Sequence, residues 1–410
     1  MPHIQLALLL GMTVALGPLA LDAYLPAFPE IADELGVAHG AVGLTLSAYV
    51  GTMGLAQLIG GPLSDRYGRQ RILMFGLAVF ALGAWLIAHA DSLQEMLYWR
   101  LVQGVGGAFC AVSVPAVVRD QVRGADAARL FGMIGLIMFI VPALAPTMGA
   151  ALLAWQDWPA IFLVLAAYAI VLILVLHLGL FRRLTPRKPA VTPVITLVTN
   201  YAQVLRHSVT MRFVGIQAMC FSIMLVFITH SSFIYQEWFG LSKSMFSGLF
   251  AANIAGMAAM NLLNRRLLRY FESVTILRAV IVMQGVAILM LVTAALLGAP
   301  YWVVAGCIIF CVGFQGAIVP NNMANALEFF PHLGGTAAAL LGATQFTVAG
   351  VVSGISASVS GHALLPVVLT MAACSVGAVI LVLGAPAAVA RELQKSATAT
   401  TGCVMARQKS

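Results

Sequence analysis

Apolar residues run through this chain in long blocks separated by short polar connections. Blocks long enough to cross a bilayer fall at about residues 4–25, 41–62, 72–90, 96–118, 130–153, 159–181, 211–235, 245–264, 275–297, 301–327, 335–358 and 364–389. Each is close to the roughly 20 apolar residues a helix needs to span hydrocarbon. Membrane strands would instead alternate polar and apolar positions over about 10 residues, and these blocks do not. The pattern predicts an all-α polytopic membrane protein with twelve transmembrane helices.

Composition strengthens that reading. Hydrophobic residues make up 61% of the 410 positions and charged residues 9%, against about 45–50% and about 25% in a soluble domain. The first block does not read as a cleaved signal, because MPHIQ carries no Lys or Arg and no small-x-small site follows. Five of the six cysteines (Cys110, Cys220, Cys307, Cys311 and Cys374) lie in apolar blocks, and Cys403 lies in the tail. That distribution is neither a disulfide framework nor a zinc spacing, so no metal is expected.

The net charge of +8 is placed unevenly. Of the 22 Lys and Arg, all but Arg100 and Lys243 fall in even-numbered connections or the tail, while odd-numbered connections carry Glu30, Asp33, Glu34, Asp91, Glu95, Asp157 and Glu237. Basic residues favour the cytoplasmic side, so the even connections and both termini are expected there, and the charge is a topology signal rather than a nucleic-acid footprint. The longest polar connection divides the chain. It predicts an N-terminal six-helix bundle (1–181), a cytoplasmic central loop (182–210), a C-terminal six-helix bundle (211–390) and a cytoplasmic tail (391–410). Arg66 and Arg69 recur as Arg266 and Arg269 after the second block of each half, as a two-half repeat would have it.

The connection GGPLSDRYGRQR, residues 60–71, carries more than positive charge. Its pattern G-x-L-S-D-R-x-G-R resembles the signature loop of the major facilitator superfamily (MFS). That resemblance implies the MFS fold, two six-helix halves, and an interhelical charge contact that gates one access state. The gating roles would fall on Gly61, Asp65, Arg66, Gly68 and Arg69, with Arg119 and Asp120 as partners. The second-half copy, NLLNRRLLRYFES, has Arg265 where the first half has Asp65, which puts an equivalent gate there in doubt. In the fourth block, YWRLVQGVGGAFC resembles the family's R-x-x-Q-G motif through Arg100, Gln103 and Gly104. In the fifth, Pro142, Pro146 and Gly149 resemble the kinked motif of its antiporter branch. These fragments, with LDAYLPAFP and EFFPHLGGTAAALLGATQF, are similar to the bicyclomycin and chloramphenicol resistance (Bcr/CflA) subfamily of drug:proton antiporters. The resemblance implies a monomeric, proton-coupled drug exporter of the bacterial inner membrane.

Asp22 interrupts an apolar run, and at 1.5 Å per residue it comes out roughly 9 Å below the outer end of its helix. Arg100, entering from the same side, comes out roughly 6 Å deep. Desolvation favours the neutral form of a carboxyl, and a nearby guanidinium favours the ionised form. Asp22 and Arg100 are therefore the expected proton-coupling residues. Two plainer readings stay open, a helix-end cap and a brace for Arg100. Gln217, Phe221, Met224, Ser231 and Tyr235 follow helical spacing on the seventh block and Gln315, Asn322 and Asn325 on the tenth; with Tyr24 and Gln103 they are the expected substrate cavity, with interhelical hydrogen bonding as the rival reading. Their amides, aromatic rings and flexible Met suit a partly apolar ligand. His230 reads as a packing histidine and Glu328 as interfacial. No appended domain, nucleotide-binding loop or metal cluster points to an enzyme or to a cofactor. The expected function is proton-coupled export of small drug-like molecules by alternating access. The alternative is a proton-coupled transporter of a metabolite such as a nucleoside, sugar or peptide.

Overall fold

A computed structural model describes residues 3–122, 124–182, 194–330, 333–360 and 363–384. Among them, twelve helical spans are long and apolar enough to cross a membrane. Spans 1 to 6 are Ile4–Leu35, Gly40–Tyr67, Arg69–Ile87, Leu93–Gln121, Arg129–Leu153 and Pro159–Phe181. Spans 7 to 12 are Ser208–Trp238, Lys243–Leu267, Ser273–Leu296, Tyr301–Leu327, Gly334–Val359 and Leu364–Leu383. Large apolar side chains such as Leu82, Leu174, Met290, Phe310, Ile355 and Ile380 are exposed on their outer faces. Water would reject such a surface. Hydrocarbon accepts it, because the helices satisfy their own backbone groups.

Spans 1–6 and 7–12 form two halves. In the first, span 4 packs on spans 2 and 3, span 6 on span 3, and span 1 on span 5. In the second, span 7 packs on spans 11 and 12, span 9 on span 12, and span 8 on span 10. The halves meet along spans 2 and 11 and along spans 5 and 8. Glycine makes the first of these seams possible. A Cβ on Gly350 would sit 2.6 Å from the Cα of Gly51, and one on Gly54 would sit 2.8 Å from the carbonyl oxygen of Ala343.

Several boundaries differ from the sequence reading, each for a local reason. Span 1 does not stop near residue 25. Its first helix, His3–Asp22, gives way to a tight turn, Leu25–Ala27, and a second helix, Phe28–Leu35. Pro26 has no N–H to offer the carbonyl of Asp22 four residues earlier, and Pro29 has none for Leu25. The break therefore falls at Asp22. Span 7 runs on to Trp238 through a wide π turn, Phe233–Trp238. Span 12 ends at Leu383, short of residue 389. The central connection is not all loop, since it holds a helix, Val194–Arg206. Val204 of that helix is buried with Phe330, Ala337 and Leu340, and Tyr201 and Leu58 pack alongside. Burial and the neighbouring Asp65 raise the Tyr201 phenol above its ordinary value. Cys403, Arg123, Arg183, Arg187, Lys188 and the tail 391–410 lie outside the described residues.

The connections holding Arg66, Arg119, Arg212 and Arg265 mark one end of the bundle, called here the basic end. At the opposite end Lys243 forms an ion pair with Glu30, which ties span 8 of the second half to span 1 of the first. That contact accounts for one of the two basic residues that break the charge pattern.

Candidate functional site

The other exception, Arg100, is fully buried, and among the described residues it forms no ion pair with an acidic side chain. Its Nη1 donates to the carbonyl of Ala20 at 3.1 Å and to Oε1 of Gln103 at 2.8 Å. Its guanidinium carbon lies 4.0 Å from the ring centre of Tyr24, 4.8 Å from that of Phe162 and 5.6 Å from that of Tyr49. A cation over aromatic faces is held by their negative quadrupoles, by about 2 kcal/mol or more when desolvated. Nε and Nη2 of Arg100 have no acceptor. Arg100 is thus a buried cation held by rings, one backbone carbonyl and the Gln103 amide, with two donors to spare.

Asp22 is 4% exposed, and its Oδ1 has no hydrogen-bond partner. It forms no ion pair with Arg100, so the bracing reading does not describe this arrangement. The capping reading also fails. Asp22 is the last residue of the helix His3–Asp22, where the helix dipole is negative and a carboxylate gains nothing. The next turn has no side-chain cap. What remains is a nearly dry carboxyl beside a helix break, two residues from the carbonyl that Arg100 holds. The Tyr24 ring covers Arg100, and its hydroxyl meets Thr45 Oγ1 at 3.0 Å.

The glycine of span 5 reaches this same place. Ala145 and Gly149 are buried, and any Cβ on Gly149 would collide with the carbonyl oxygen of Ala23. Gly149 therefore lets span 5 lie directly against the backbone that follows Asp22. Pro142 and Pro146 lie in the same helix, Gly124–Leu153.

The other expected residues divide. On span 7, Phe221 and Met224 are half-buried on one face, and Phe221 meets Phe346 edge-on at 5.0 Å. Gln217 lies beside them, donating to Gln345 Oε1 at 2.8 Å and accepting from Asn322 Nδ2 at 3.1 Å. Gln315 donates to the carbonyl of Cys220 at 2.5 Å. Oε1 of Gln315 and Oδ1 of Asn322 are buried without partners. Ser231 and Tyr235 follow on span 7 but are closed off. Both are fully buried, Ser231 bonding back to Ile228 and Tyr235 packing on Phe227 and Phe246. Asn325 sits instead at the basic end with Asn321 and Ser273. His230 bonds Ser356 at 3.0 Å as a packed histidine, and Glu328 is exposed at the basic end. Sequence reasoning missed Thr45, Tyr49, Phe162 and Gln345, because single polar or aromatic residues inside apolar spans carry no periodic signal.

In the signature loop Gly68 has φ of +98°, a conformation that favours glycine. It turns the chain so that Arg69, the first residue of span 3, pairs with Asp65 and lies 3.3 Å from Asp120 on span 4. Arg66 and Arg119 are exposed outside this cluster, and Gly61 has open space where a side chain would be.

Residues 10–354 match the sequence profile of the Major Facilitator Superfamily. The chain belongs to that superfamily. As an MFS protein it is a multi-pass membrane transporter. It is similar to a "Bicyclomycin resistance protein homolog" from Haemophilus influenzae, 30% identical over 91% of this chain and 94% of that protein. It is also similar to "Multidrug resistance protein D" from Escherichia coli, 26% identical over 87% and 89%. A solved D-xylose-proton symporter shares the fold with a TM-score of 0.72 at 13% identity, over 93% of this MFS chain and 96% of that one.

Proposed function

We propose that this MFS protein is a drug exporter driven by a proton gradient, alternating access to its central cavity between the two sides of a bacterial inner membrane. The basic end then faces the cytoplasm with both termini, and residues 1–181 and 211–390 move as the two rocking bundles. The names of its relatives support drug-like cargo. The half-buried face of Phe221 and Met224, with the spare acceptors of Gln315 and Asn322, suits small molecules that are largely apolar and carry a few donors.

One observation carries the coupling role: Asp22, a nearly dry carboxyl with an unpaired oxygen, two residues from the carbonyl that holds a buried arginine with two unused donors. A carboxyl that alternates between a dry, cation-free setting and contact with a guanidinium takes up a proton in the first and releases it in the second. Tyr24 and Gln103 hold Arg100 ready for that contact. The test is proton release on compound binding by the purified protein, over a panel spanning antibiotics, nucleosides, sugars and peptides. Drug-like members should release protons from the wild type and none from Asp22→Asn. Release triggered only by the metabolites would replace the proposed cargo.

A further inference from the structure

Each half of the bundle has a knot of polar side chains at its basic end, and the two knots differ in kind. In the first half the knot is ionic. Arg69 opens span 3, pairs with Asp65 of span 2 and Asp120 of span 4, and donates to Ser64 Oγ at 3.3 Å. The sequence repeat points to Arg265, Arg266 and Arg269 for the second half. All three are exposed, and among the described residues none forms an ion pair.

The equivalent places are filled by neutral residues. Asn264 stands three residues before the end of span 8, as Ser64 does in span 2. Ser273 opens span 9, as Arg69 opens span 3, and Asn325 is near the end of span 10, as Asp120 is in span 4. Asn321 Nδ2 donates to Asn264 Oδ1 at 2.6 Å, Ser273 Oγ donates to Asn321 Oδ1 at 2.9 Å, and Asn325 Nδ2 donates to Ser273 Oγ at 2.9 Å. The chain of bonds runs unbroken through spans 8, 10 and 9. Asn264, Asn321 and Asn325 are buried, and no buried side-chain atom of the four lacks a partner. One turn further in, Pro320 cannot bond the carbonyl of Gly316, and Asn261 of span 8 does so at 3.0 Å. The same two spans are thus tied twice by amides.

We infer that Asn264, Ser273, Asn321 and Asn325 form an uncharged counterpart of the ionic clamp, holding the basic ends of spans 8, 9 and 10 as one unit while access changes. This rests on the alternating-access reading but not on Asp22. The two clamps then respond differently to salt. Asp65 is 42% exposed and Arg69 25% exposed, so mobile ions screen the ionic clamp, whereas buried neutral hydrogen bonds are not screened.

The test is backbone hydrogen exchange at residues 64–72 and 264–276, with transport rate measured in parallel. Salt is raised from about 0.1 M to about 1 M, over which the Debye length falls from about 10 Å to about 3 Å. Exchange should rise severalfold at 64–72 and stay unchanged at 264–276. Asn321→Ala should raise exchange at 264–276 severalfold and slow transport at least fivefold. Asn264→Ala should do the same, with the double variant no worse than either alone. Asn264→Ser keeps an acceptor for Asn321 and should stay near wild type. Salt-sensitive exchange at 264–276, wild-type exchange in Asn321→Ala, or equal damage from Asn264→Ser and Asn264→Ala would each overturn the inference. Exchange needs neither substrate nor proton gradient, so it can fail while the export reading stands, and the reverse.

Discussion

Replacing Arg100 with Lys keeps the charge and removes the shape. Both hydrogen bonds of Arg100 leave from Nη1, to Ala20 at 3.1 Å and Gln103 at 2.8 Å, while the flat group lies against three rings. Lysine is one bond shorter, is tetrahedral and is more strongly hydrated. Pulled back by a bond, it cannot reach both acceptors across the Tyr24 ring. Losing one hydrogen bond to a charged group costs about 1.5–3 kcal/mol. At about 1.36 kcal/mol per tenfold, that is roughly 10- to 150-fold in the population of whichever access state needs the bond. The assay is the initial rate of efflux driven by a pH gradient in vesicles, at matched protein. Arg100→Lys should fall at least tenfold. Arg100→Met should also lose transport, yet its unfolding midpoint should equal or exceed wild type, because it removes a buried charge that has no counter-ion. Near-wild-type transport by Arg100→Lys would refute the claim that the fork and its ring stack position the site.

Gly149→Ala drives a methyl into the carbonyl of Ala23, so overpacking should cost about 1–3 kcal/mol, visible as a lowered unfolding midpoint together with slower efflux. Asp65→Asn breaks the ion pair with Arg69, and an unchanged transport rate would remove the gating role of the loop. Glu30→Gln opens a half-exposed pair at the opposite end. Its effect should stay under about 1 kcal/mol and vanish in high salt; a larger, salt-resistant effect would contradict its reading as a screened surface pair. Tyr201 has a phenol raised by burial and then by Asp65. The folded state therefore holds that proton more tightly than the unfolded chain. Its stabilisation is complete below the unfolded value of about 10 and is lost as pH rises through the folded value. Asp65→Asn should lower the Tyr201 titration midpoint, read from tyrosinate absorbance.

The twelve spans were legible because hydrocarbon imposes length and polarity on every crossing segment. The ionic clamp was legible because Asp65, Gly68 and Arg69 match the signature loop of the superfamily, and that resemblance implies the contact. Asp22 and Arg100 were visible as charges out of place, and their similar depth agrees with the bond from Arg100 to Ala20. That they form no ion pair was not legible, because it depends on Arg100 turning to the Ala20 carbonyl, Gln103 and the aromatic rings, and on Pro26 ending the helix at Asp22. Ser231 and Tyr235 matched the spacing of Gln217, Phe221 and Met224. Ser231 is buried within the same helix and bonds back to Ile228, while Tyr235 lies in the wide turn Phe233–Trp238 and packs on Phe227 and Phe246. The repeat pointed to arginines at the basic end of the second half, where the contacts fall instead on Asn264 and Asn321. Amides inside apolar spans look alike whether they line a cavity or tie two helices, and only packing separates the cases.

The central claim is that Asp22 carries the coupled proton. Its most direct test is uphill efflux in proteoliposomes by Asp22→Asn, with downhill movement of the same compound measured in the same vesicles. Uphill efflux should be abolished while downhill movement persists, because the cavity is intact and only the titratable group is gone. Uphill efflux at the wild-type rate would contradict the account and move the proton to another group.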